Sequence, residues 1–279
     1  MKHLTNHLTR AALFATAAAL ALGSSACGSS PGAGSTPSDS AAPESAAACD
    51  ELLTLSDGIF AVAFSEEPPD AASVESLKEQ FETIATGTAG AAATAATDAA
   101  ATLDEILATD NFALLQDPTF LPNLLGAGEA GRTECGYHPV DVTAEEHAAA
   151  SASENPEFHF TGLPATLPAG KTNFLLDNPT DGFHDLAVYR LNDDYTGTLD
   201  EFIALDDAGM AEVAEVVTST IAPPQASGYT NAELTEGRHI VLCHVPLFDG
   251  EGPDAMPVMG PNGPIWHYTL GMVEEVTVN

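Results

Sequence analysis

The sequence predicts an α+β multidomain chain in which a small N-terminal helical bundle precedes a Greek-key β-sandwich. Between residues 49 and 135 the apolar residues recur at helical spacing. From residue 158 onward, short segments with alternating side chains are separated by turns, which is typical of an antiparallel sandwich. A chain of 279 residues is long enough for both domains. We expect the helical domain over residues 49–140 and the sandwich over residues 141–279.

The N-terminus resembles a bacterial export signal. Residues 11–23 form an apolar stretch that follows basic residues and is too short for a stable membrane span. Small residues then precede Cys27, as at a lipoprotein cleavage site, although Ser24 stands where leucine is usual. We expect a signal peptide over residues 1–26, lipidation of Cys27, and a flexible tether over residues 27–48. The protein would then be anchored to the outer face of the cell membrane; the alternative is ordinary cleavage and secretion.

The chain is strongly acidic, with 41 Asp and Glu against 7 Lys and Arg and a formal net charge of -34. Such a surface repels nucleic acid and anionic lipid headgroups, so we expect no nucleic-acid partner and membrane contact only through the lipid anchor. A protein partner would be basic or bridged by cations. The alternative interpretation of the charge is solubility in a saline or alkaline exterior.

Helical elements are expected throughout the N-terminal domain. A first segment runs from Cys49 to Phe64 and is broken by Pro68 and Pro69, and a second restarts at Ser73. An Ala/Thr run over residues 89–102 leads into a third, and a fourth covers residues 112–125. No paired acid and base, phosphate-binding loop or metal-ligand cluster stands out in this part of the sequence. Its role is therefore packing, spacing or partner binding.

The C-terminal domain is expected to consist of short strands with one helical insertion. Residues 136–156 are either a linker or a first strand that leads into the sandwich. The insertion is expected over Thr198 to Val217, where apolar residues recur at helical spacing. The expected strands are Phe158 to Phe160, Thr172 to Leu176, His184 to Leu191, Arg238 to Val245, and Met272 to Val278.

The four cysteines can be assigned by their positions. In an oxidising compartment with Cys27 lipidated, Cys49 and Cys135 bracket the helical segment and are the natural disulfide. Cys243 is then left over, and a metal ligand is one reason to keep an unpaired thiol. The alternatives are that Cys243 pairs with another cysteine or is a small buried hydrophobic residue.

Four residues in the last third of the chain offer metal-binding side chains. They are His184, Cys243, His267 and Met272, and the last two stand in the string His-Tyr-Thr-Leu-Gly-Met. Two imidazoles, one thiolate and one weak thioether are the donors of a mononuclear type 1 copper site, and they suit both Cu(I) and Cu(II). The residues therefore predict one copper ion and one-electron chemistry, provided that they converge.

Three segments around these residues resemble the cupredoxin family. Lys171 to Asn178, followed by Phe183 to Leu186, is similar to the first histidine region. Gly237 to Cys243 is similar to the strand that supplies the thiolate, and His267 to Met272 to the second histidine with the axial methionine. The resemblance covers about residues 157–279 and is strongest for exported plastocyanin-like bacterial lipoproteins. It implies a cupredoxin-like fold and outer-sphere electron transfer to a redox partner protein, without catalytic residues.

One segment departs from the family pattern. The 23 residues between Cys243 and His267 make a longer loop than family members usually have, rich in Gly, Pro and Asp. Because closure entropy grows only logarithmically with loop length, the site can survive such an insertion. Met256 and Met259 inside the loop are either competing thioether ligands or part of its packing.

Other histidines and other functions remain open at this point. His244 follows Cys243, as in multicopper oxidases, but Leu242 and Phe248 stand at the other two positions where those enzymes place histidines, so an oxygen-reducing centre and an enzyme are not expected. His159 and His239 are expected at sheet surfaces or half-buried. His138 and His147 are expected to be exposed, with an auxiliary metal site among nearby acids as the alternative. The alternative functions are a copper carrier or store without redox traffic, and a copper-free interaction scaffold.

Overall fold

The structure, a computed structural model, describes residues 43–63, 69–116, 120–148, 155–250, 255–261 and 263–279. The expected signal peptide, Cys27 and most of the expected tether lie outside these residues. In the described part of the chain, none of the helices is both long enough and apolar enough to cross a membrane. The α-helices are α1 (Pro43–Glu51), α2 (Leu55–Ala63), α3 (Ala71–Gly87), α4 (Gly90–Thr109), α5 (Phe120–Gly126), α6 (Ala130–Thr133), α7 (Leu199–Ile203) and α8 (Asp207–Val213).

The strands form two main sheets. One has the order β2-β1-β4-β7 and the other the order β3-β11-β8-β5-β6, while β9 and β10 form a separate two-stranded ribbon. Most neighbours are antiparallel, but β1 pairs with β4 and β3 with β11 in parallel. The strands are β1 (His138–His147), β2 (Glu157–Thr161), β3 (Thr166–Leu167), β4 (Gly170–Asn178), β5 (His184–Leu191), β6 (Ala214–Ala222), β7 (Ala226–Leu234), β8 (Gly237–Leu242), β9 (Met259–Gly260), β10 (Gly263–Pro264) and β11 (Val273–Val278).

The two main sheets pack face to face around one apolar core. Phe174 and Leu176 of β4 enter it from one sheet, and Leu186 and Val188 of β5 from the other. Residues two apart on a strand point to the same face, so this alternation buries one side of each sheet. Cys243 and Met272 belong to the same core. The candidate ligands are therefore placed at the end of a packed sandwich.

The N-terminal helices, α1 to α6, form a second core. They pack against β7 at the edge of the four-stranded sheet and against β6 at the edge of the five-stranded sheet. A buried hydroxyl pair, Ser56 with Thr218, joins α2 to β6. The amides of Asn173 and Asn231, in β4 and β7, both donate to the carbonyl of Gly128 in a short 3₁₀ turn (Ala127–Glu129). Buried polar groups need such partners, so these bonds make the contact between helices and sheet specific.

A disulfide joins Cys49 in α1 to Cys135, after α6. The Tyr137 hydroxyl donates to the carbonyl of Cys49 and ties the same helix to the start of the sandwich. The helix that carries Cys49 begins at Pro43, within the range expected to be a tether. The expected boundary between residues 140 and 141 falls inside β1, which continues from the helical layer into the sheet.

The strand expected over His184 to Leu191 has those bounds in the structure. The insertion expected to be helical through Val217 is wrong at its end, because α8 stops at Val213 and β6 begins at Ala214. β-branched Val216, Val217 and Thr218 favour the strand, while the four-residue step from Val213 to Val217 imitates a helix. Helices α7 and α8 lie on the outer face of the five-stranded sheet, where Phe202 and Met210 are buried.

Candidate metal centre

Three of the four sequence-predicted ligands meet at one end of the sandwich. One donor atom each from His184, Cys243 and His267 lie within 4.8 Å of one another, and all three side chains are buried. The Cys243 sulfur is 3.9 Å from Nδ1 of His184 and 3.5 Å from Nδ1 of His267. The two imidazole centroids are 5.0 Å apart. These donors surround a single point, as one metal ion requires.

Cys243 follows directly after β8 and continues its inward face. Val241, two residues earlier, is buried in the same core, as strand parity predicts. The Cys243 backbone N–H donates to the Met272 carbonyl at 3.1 Å, which extends the pairing of β8 with β11 past the end of the strand. The backbone N–H of Asp185 points at the sulfur, with N···S 3.4 Å. This donor would stabilise negative charge on the thiolate.

His184 is oriented by a short hydrogen-bond relay that begins where β4 ends. The Asn178 amide donates to the carbonyls of Gly182 and Ala222 at 2.8 and 2.9 Å, which fixes the loop before β5. The side-chain oxygen of Asn178, Oδ1, accepts from the Thr180 hydroxyl at 2.7 Å, and that hydroxyl lies 3.0 Å from Nε2 of His184. The relay holds the ring so that its other nitrogen, Nδ1, faces the sulfur.

His267 opens a single 3₁₀ turn, His267–Leu270. Its ring is stacked on Phe158 of β2, with centroids 3.8 Å apart and an interplanar angle of 17°. The turn ends at Gly271, whose φ of 107° lies in the left-handed region. A Cβ at Gly271 would lie 2.9 Å from the Phe158 carbonyl oxygen, so the glycine permits close contact between the turn and β2.

The long segment between Cys243 and His267 folds back on itself, so the two ligands stay together. Tyr268 N–H donates to the Cys243 carbonyl at 3.1 Å, and His267 N–H to the Val245 carbonyl at 2.9 Å. Further out, Leu247 N–H donates to the Ile265 carbonyl at 2.7 Å. This ladder lies within the described residues of the loop and closes its base. The insertion therefore does not separate the ligands.

The fourth predicted ligand, Met272, is fully buried in the core that contains Cys243. Its backbone N–H donates to the His267 carbonyl at 3.1 Å, and its own carbonyl accepts from the Cys243 N–H at 3.1 Å. Backbone hydrogen bonds therefore link Met272 to both of these ligands. Met256 and Met259, by contrast, are 65% and 64% exposed. They are not packed with the buried ligands. Of the methionines considered as ligands, Met272 is the one in the same core as Cys243.

Burial sets the protonation states of the three donors. It lowers the pKa of His184 to about 4. Burial, together with the neighbouring His184, lowers the pKa of His267 to about 3. Burial, and then the adjacent Asp185 carboxylate, raises the pKa of the Cys243 thiol well above its ordinary range. At neutral pH both imidazoles are therefore uncharged, which is the form that binds metal ions.

Asp185 and Phe158 lie beside the donors, and the sequence alone predicts neither contact. The Asp185 carboxylate is partly buried and accepts the His244 backbone N–H at 2.6 Å. The His244 ring lies against Tyr189, with Nε2 3.1 Å from the hydroxyl, and is not among the converging donors. Phe158 was recognised as a strand residue only. Its position two residues before Phe160 on one strand face was a usable signal for burial, but not for stacking on His267.

The other histidines differ in how far they are buried. His239 was expected at a surface or half-buried, but it is wholly buried on β8, with Nδ1 3.3 Å from the Gly237 carbonyl oxygen. The expectation was wrong because His239 shares strand parity with Val241 and Cys243, whose side chains lie in the core between the two sheets. His138 and His147 are exposed, as expected, and His159 is partly buried on β2.

No family model matches the chain, and no curated protein matches it. It is similar to solved structures, at low overall scores. A multicopper oxidase is 9% identical with a TM-score of 0.29, and the match covers 51% of this chain and 44% of that one. Reduced auracyanin from the photosynthetic bacterium Roseiflexus castenholzii is 14% identical with a TM-score of 0.28, covering 50% and 96%. A copper-containing nitrite reductase from Thermus scotoductus is 14% identical with a TM-score of 0.29, covering 51% and 31%.

The chain thus spans less than half of the multicopper oxidase that it matches, and nearly the whole of auracyanin. The residues described in the present chain bring a His-Cys-His group together at one end of the β-sandwich that its two main sheets form.

Proposed function

We propose that the protein holds one copper ion between His184, Cys243 and His267 and passes single electrons to and from a partner protein. One observation carries the proposal: the three donor atoms lie within 4.8 Å of one another in a buried site. One thiolate and two imidazoles are the strong donors of a type 1 copper site. Met272 completes the donor set as the proposed weak axial ligand, because it is buried in the same core.

The residues present fit copper in their chemistry as well as their spacing. Both imidazoles are neutral at physiological pH, so no proton has to leave them. The buried thiol loses its proton when a cation replaces it, and the N–H of Asp185 then stabilises the thiolate. A bound copper ion would supply a one-electron couple near physiological potentials. The chain itself contributes a rigid, water-poor environment in which the donors need little rearrangement.

Burial favours a resident ion over a transported one. Among the donors, His267 is the most exposed, at 5%. A carrier that hands its ion to another protein needs a more accessible donor for the exchange of ligands. Electron transfer requires only that the partner comes close, since no bond to the metal is formed. We therefore favour electron transfer over a copper carrier or store.

We further propose an electron carrier with a single copper ion rather than an oxidase. In a multicopper oxidase, histidines next to the copper cysteine lead to a second metal centre. Here Leu242 precedes Cys243, and the one adjacent histidine, His244, lies against Tyr189 at 3.1 Å. The proposed role is therefore outer-sphere electron transfer, with no substrate bound at the site.

Export and membrane anchoring are also proposed. They rest on the leader-like sequence and Cys27, which lie outside the described residues. The disulfide between Cys49 and Cys135 supports this location, because such bonds persist in oxidising compartments. The net charge of -34 supports a redox partner that is basic or bridged by cations.

Reconstitution with Cu(II) tests the copper proposal directly. The purified protein should turn intensely blue or green, because a copper thiolate absorbs visible light by charge transfer. Cys243→Ser should abolish the colour, whereas the control His138→Ala, at an exposed position on β1, should keep it. A colourless parent protein that takes up no copper and retains a titratable thiol would refute the site.

Voltammetry then separates electron transfer from storage. A reversible one-electron wave from the coloured protein is expected, with similar rates of oxidation and reduction. Tight Cu(I) binding without such a wave would instead favour a carrier or store. Absence of any copper binding would leave the interaction scaffold as the remaining function.

A further inference from the structure

A group of two histidines and two glutamates lies on the edge hairpin of the four-stranded sheet, outside the buried site. In the register of β1 with β2, Glu145 faces His159 and His147 faces Glu157. Residues two apart on a strand point to the same side, so Glu145 and His147 share a face, as do Glu157 and His159. The four side chains therefore surround one patch of the surface.

The two imidazoles are as close as a pair that shares a metal ion. The ring centroids of His147 and His159 are 5.3 Å apart, compared with 5.0 Å between His184 and His267 in the buried site. Rings that bind one ion have centroids roughly 5 Å apart, since each nitrogen lies about 2.1 Å from the metal. The edge pair meets this distance without movement of the backbone.

Each glutamate already lies beside an imidazole. Glu145 Oε2 is 3.5 Å from Nε2 of His147, and Glu157 Oε2 is 3.7 Å from Nε2 of His159. The Thr161 hydroxyl donates to the other oxygen of Glu145 at 3.2 Å and orients that carboxylate. Between 41% and 75% of each side chain is exposed, so rotation about side-chain bonds can bring the donors together. Such rotation is needed, because among the described residues the donors that already converge within 4.8 Å are those of the buried site.

We propose that His147, His159, Glu145 and Glu157 form a second, exposed site for one divalent transition metal ion. Imidazole nitrogens and carboxylate oxygens suit Zn²⁺ and Cu²⁺, and Cu²⁺ binds the tighter of the two at such donors. The net charge of -34 raises the local concentration of cations. Exposed His–Glu ion pairs alone add little stability and need a protonated imidazole, whereas a metal ion uses both neutral rings.

The site would lie beside the buried centre but would not depend on it. On β2, Phe158 packs against His267 on the inner side, while the neighbouring residues Glu157 and His159 carry the edge donors. None of the edge donors is a thiolate, so an ion bound there would give no intense visible colour. The two sites can therefore be measured separately on the same protein.

Calorimetric titration of the purified protein with Zn²⁺ tests the proposal. It is best done in a Cys243→Ser background, which removes the strongest buried donor. One equivalent of Zn²⁺ should bind, and His147→Ala or His159→Ala should each weaken this step by at least about tenfold. His138→Ala is the matched control, because this exposed histidine lies at the opposite end of β1.

The imidazole NMR signals give a second readout in the parent protein, so the test does not depend on the folding of Cys243→Ser. Sub-stoichiometric Zn²⁺ should shift or broaden the ring signals of His147 and His159 and leave those of His138 in place. Equal losses of affinity in all three alanine variants would indicate diffuse attraction to an acidic surface and overturn the site. So would unchanged binding in His147→Ala and His159→Ala. Neither outcome alters the visible colour that tests the buried copper site.

Discussion

The imidazole of His267 lies flat against the phenyl ring of Phe158, with centroids 3.8 Å apart. This contact covers one side of the proposed ligand His267 with an apolar ring from β2 of the four-stranded sheet. It also joins β2, an edge strand, to the turn that begins at His267 and leads to Met272. Because water near copper favours the more highly charged Cu(II), the ring should affect the reduction potential as well as the packing.

Phe158→Leu should therefore lower the reduction potential of the copper-loaded protein and speed the loss of copper to a chelator. Phe160→Leu is the matched control, since Phe160 is buried two residues further along the same strand face. Both changes should reduce the free energy of unfolding by about 1–3 kcal/mol. Only the first should alter the potential measured by voltammetry. Equal shifts in both variants would contradict a specific role for the stacked ring.

The lowered histidine pKa values predict how the stability of the copper-free protein depends on pH. The folded values of about 4 for His184 and about 3 for His267 lie below the ordinary value of 6.5. Between these limits the unfolded chain binds more protons, so stability rises with pH. Each histidine's contribution is complete above pH 6.5 and is lost as the pH falls toward 4 and 3.

Chemical denaturation from pH 7 to pH 4.5 measures this effect. Each imidazole should remove up to about 1.4 kcal/mol per pH unit from the free energy of unfolding. His267→Asn removes one of the two groups, so its stability should fall less steeply than that of the parent. Parallel curves for parent and variant would show that His267 does not titrate in this way.

Copper binding should release one proton at neutral pH, and that proton should come from Cys243. Burial raises the pKa of this thiol, while both imidazoles are already neutral. The apparent copper affinity should then rise about tenfold per pH unit between pH 6 and 8. Competition with a chelator, followed through the visible colour, measures it for the buried site alone. An affinity independent of pH over that range would mean that the thiol is already ionised.

Some of this site could be predicted from the sequence because ligand chemistry is visible in residue type and order. The strand from His184 to Leu191 was also identifiable, since its apolar residues alternate. Strand parity placed Cys243 beside Val241 on an inward face, and both are buried in the same core. These features depend on local periodicity and on donor identity, which a single sequence contains.

Other features depend on contacts between distant segments and leave no local pattern. The bonds that close the loop join Leu247 to Ile265 and His267 to Val245, in a segment rich in Gly and Pro. The stacking of Phe158 on His267 is likewise set only when the two sheets meet. Strand β7 was not identified, because its polar and small residues, such as Ser227 and Asn231, do not alternate with apolar ones.

Removal of the disulfide should destabilise the helical layer without affecting the copper colour. Cys49 and Cys135 are 86 residues apart. In the loop-entropy model, a crosslink over that separation contributes roughly 4–5 kcal/mol. The Cys49→Ser, Cys135→Ser double variant should unfold at lower denaturant concentration while keeping the visible spectrum of the folded, copper-loaded protein. An unchanged midpoint would contradict this, as would a folded variant that has lost its colour.

Gly271 should be required for the buried site through both its conformation and its close contact with β2. Its φ is 107°, which strains any residue with a side chain, and a Cβ would lie 2.9 Å from the Phe158 carbonyl oxygen. Gly263 offers a matched control, because its φ is 128° and a Cβ there would meet nothing within 4 Å. Both alanine variants should pay the conformational cost of about 1–2 kcal/mol.

Gly271→Ala should lose more stability than Gly263→Ala, because strand β2 must also move away from the turn. That movement would shift His267 and Met272 together, so the visible band of the copper protein should weaken or move in Gly271→Ala alone. Denaturant titration and the absorption spectrum measure the two effects on the same samples. Equal stability losses with identical spectra would show that backbone conformation, rather than contact with β2, explains the glycine at this position.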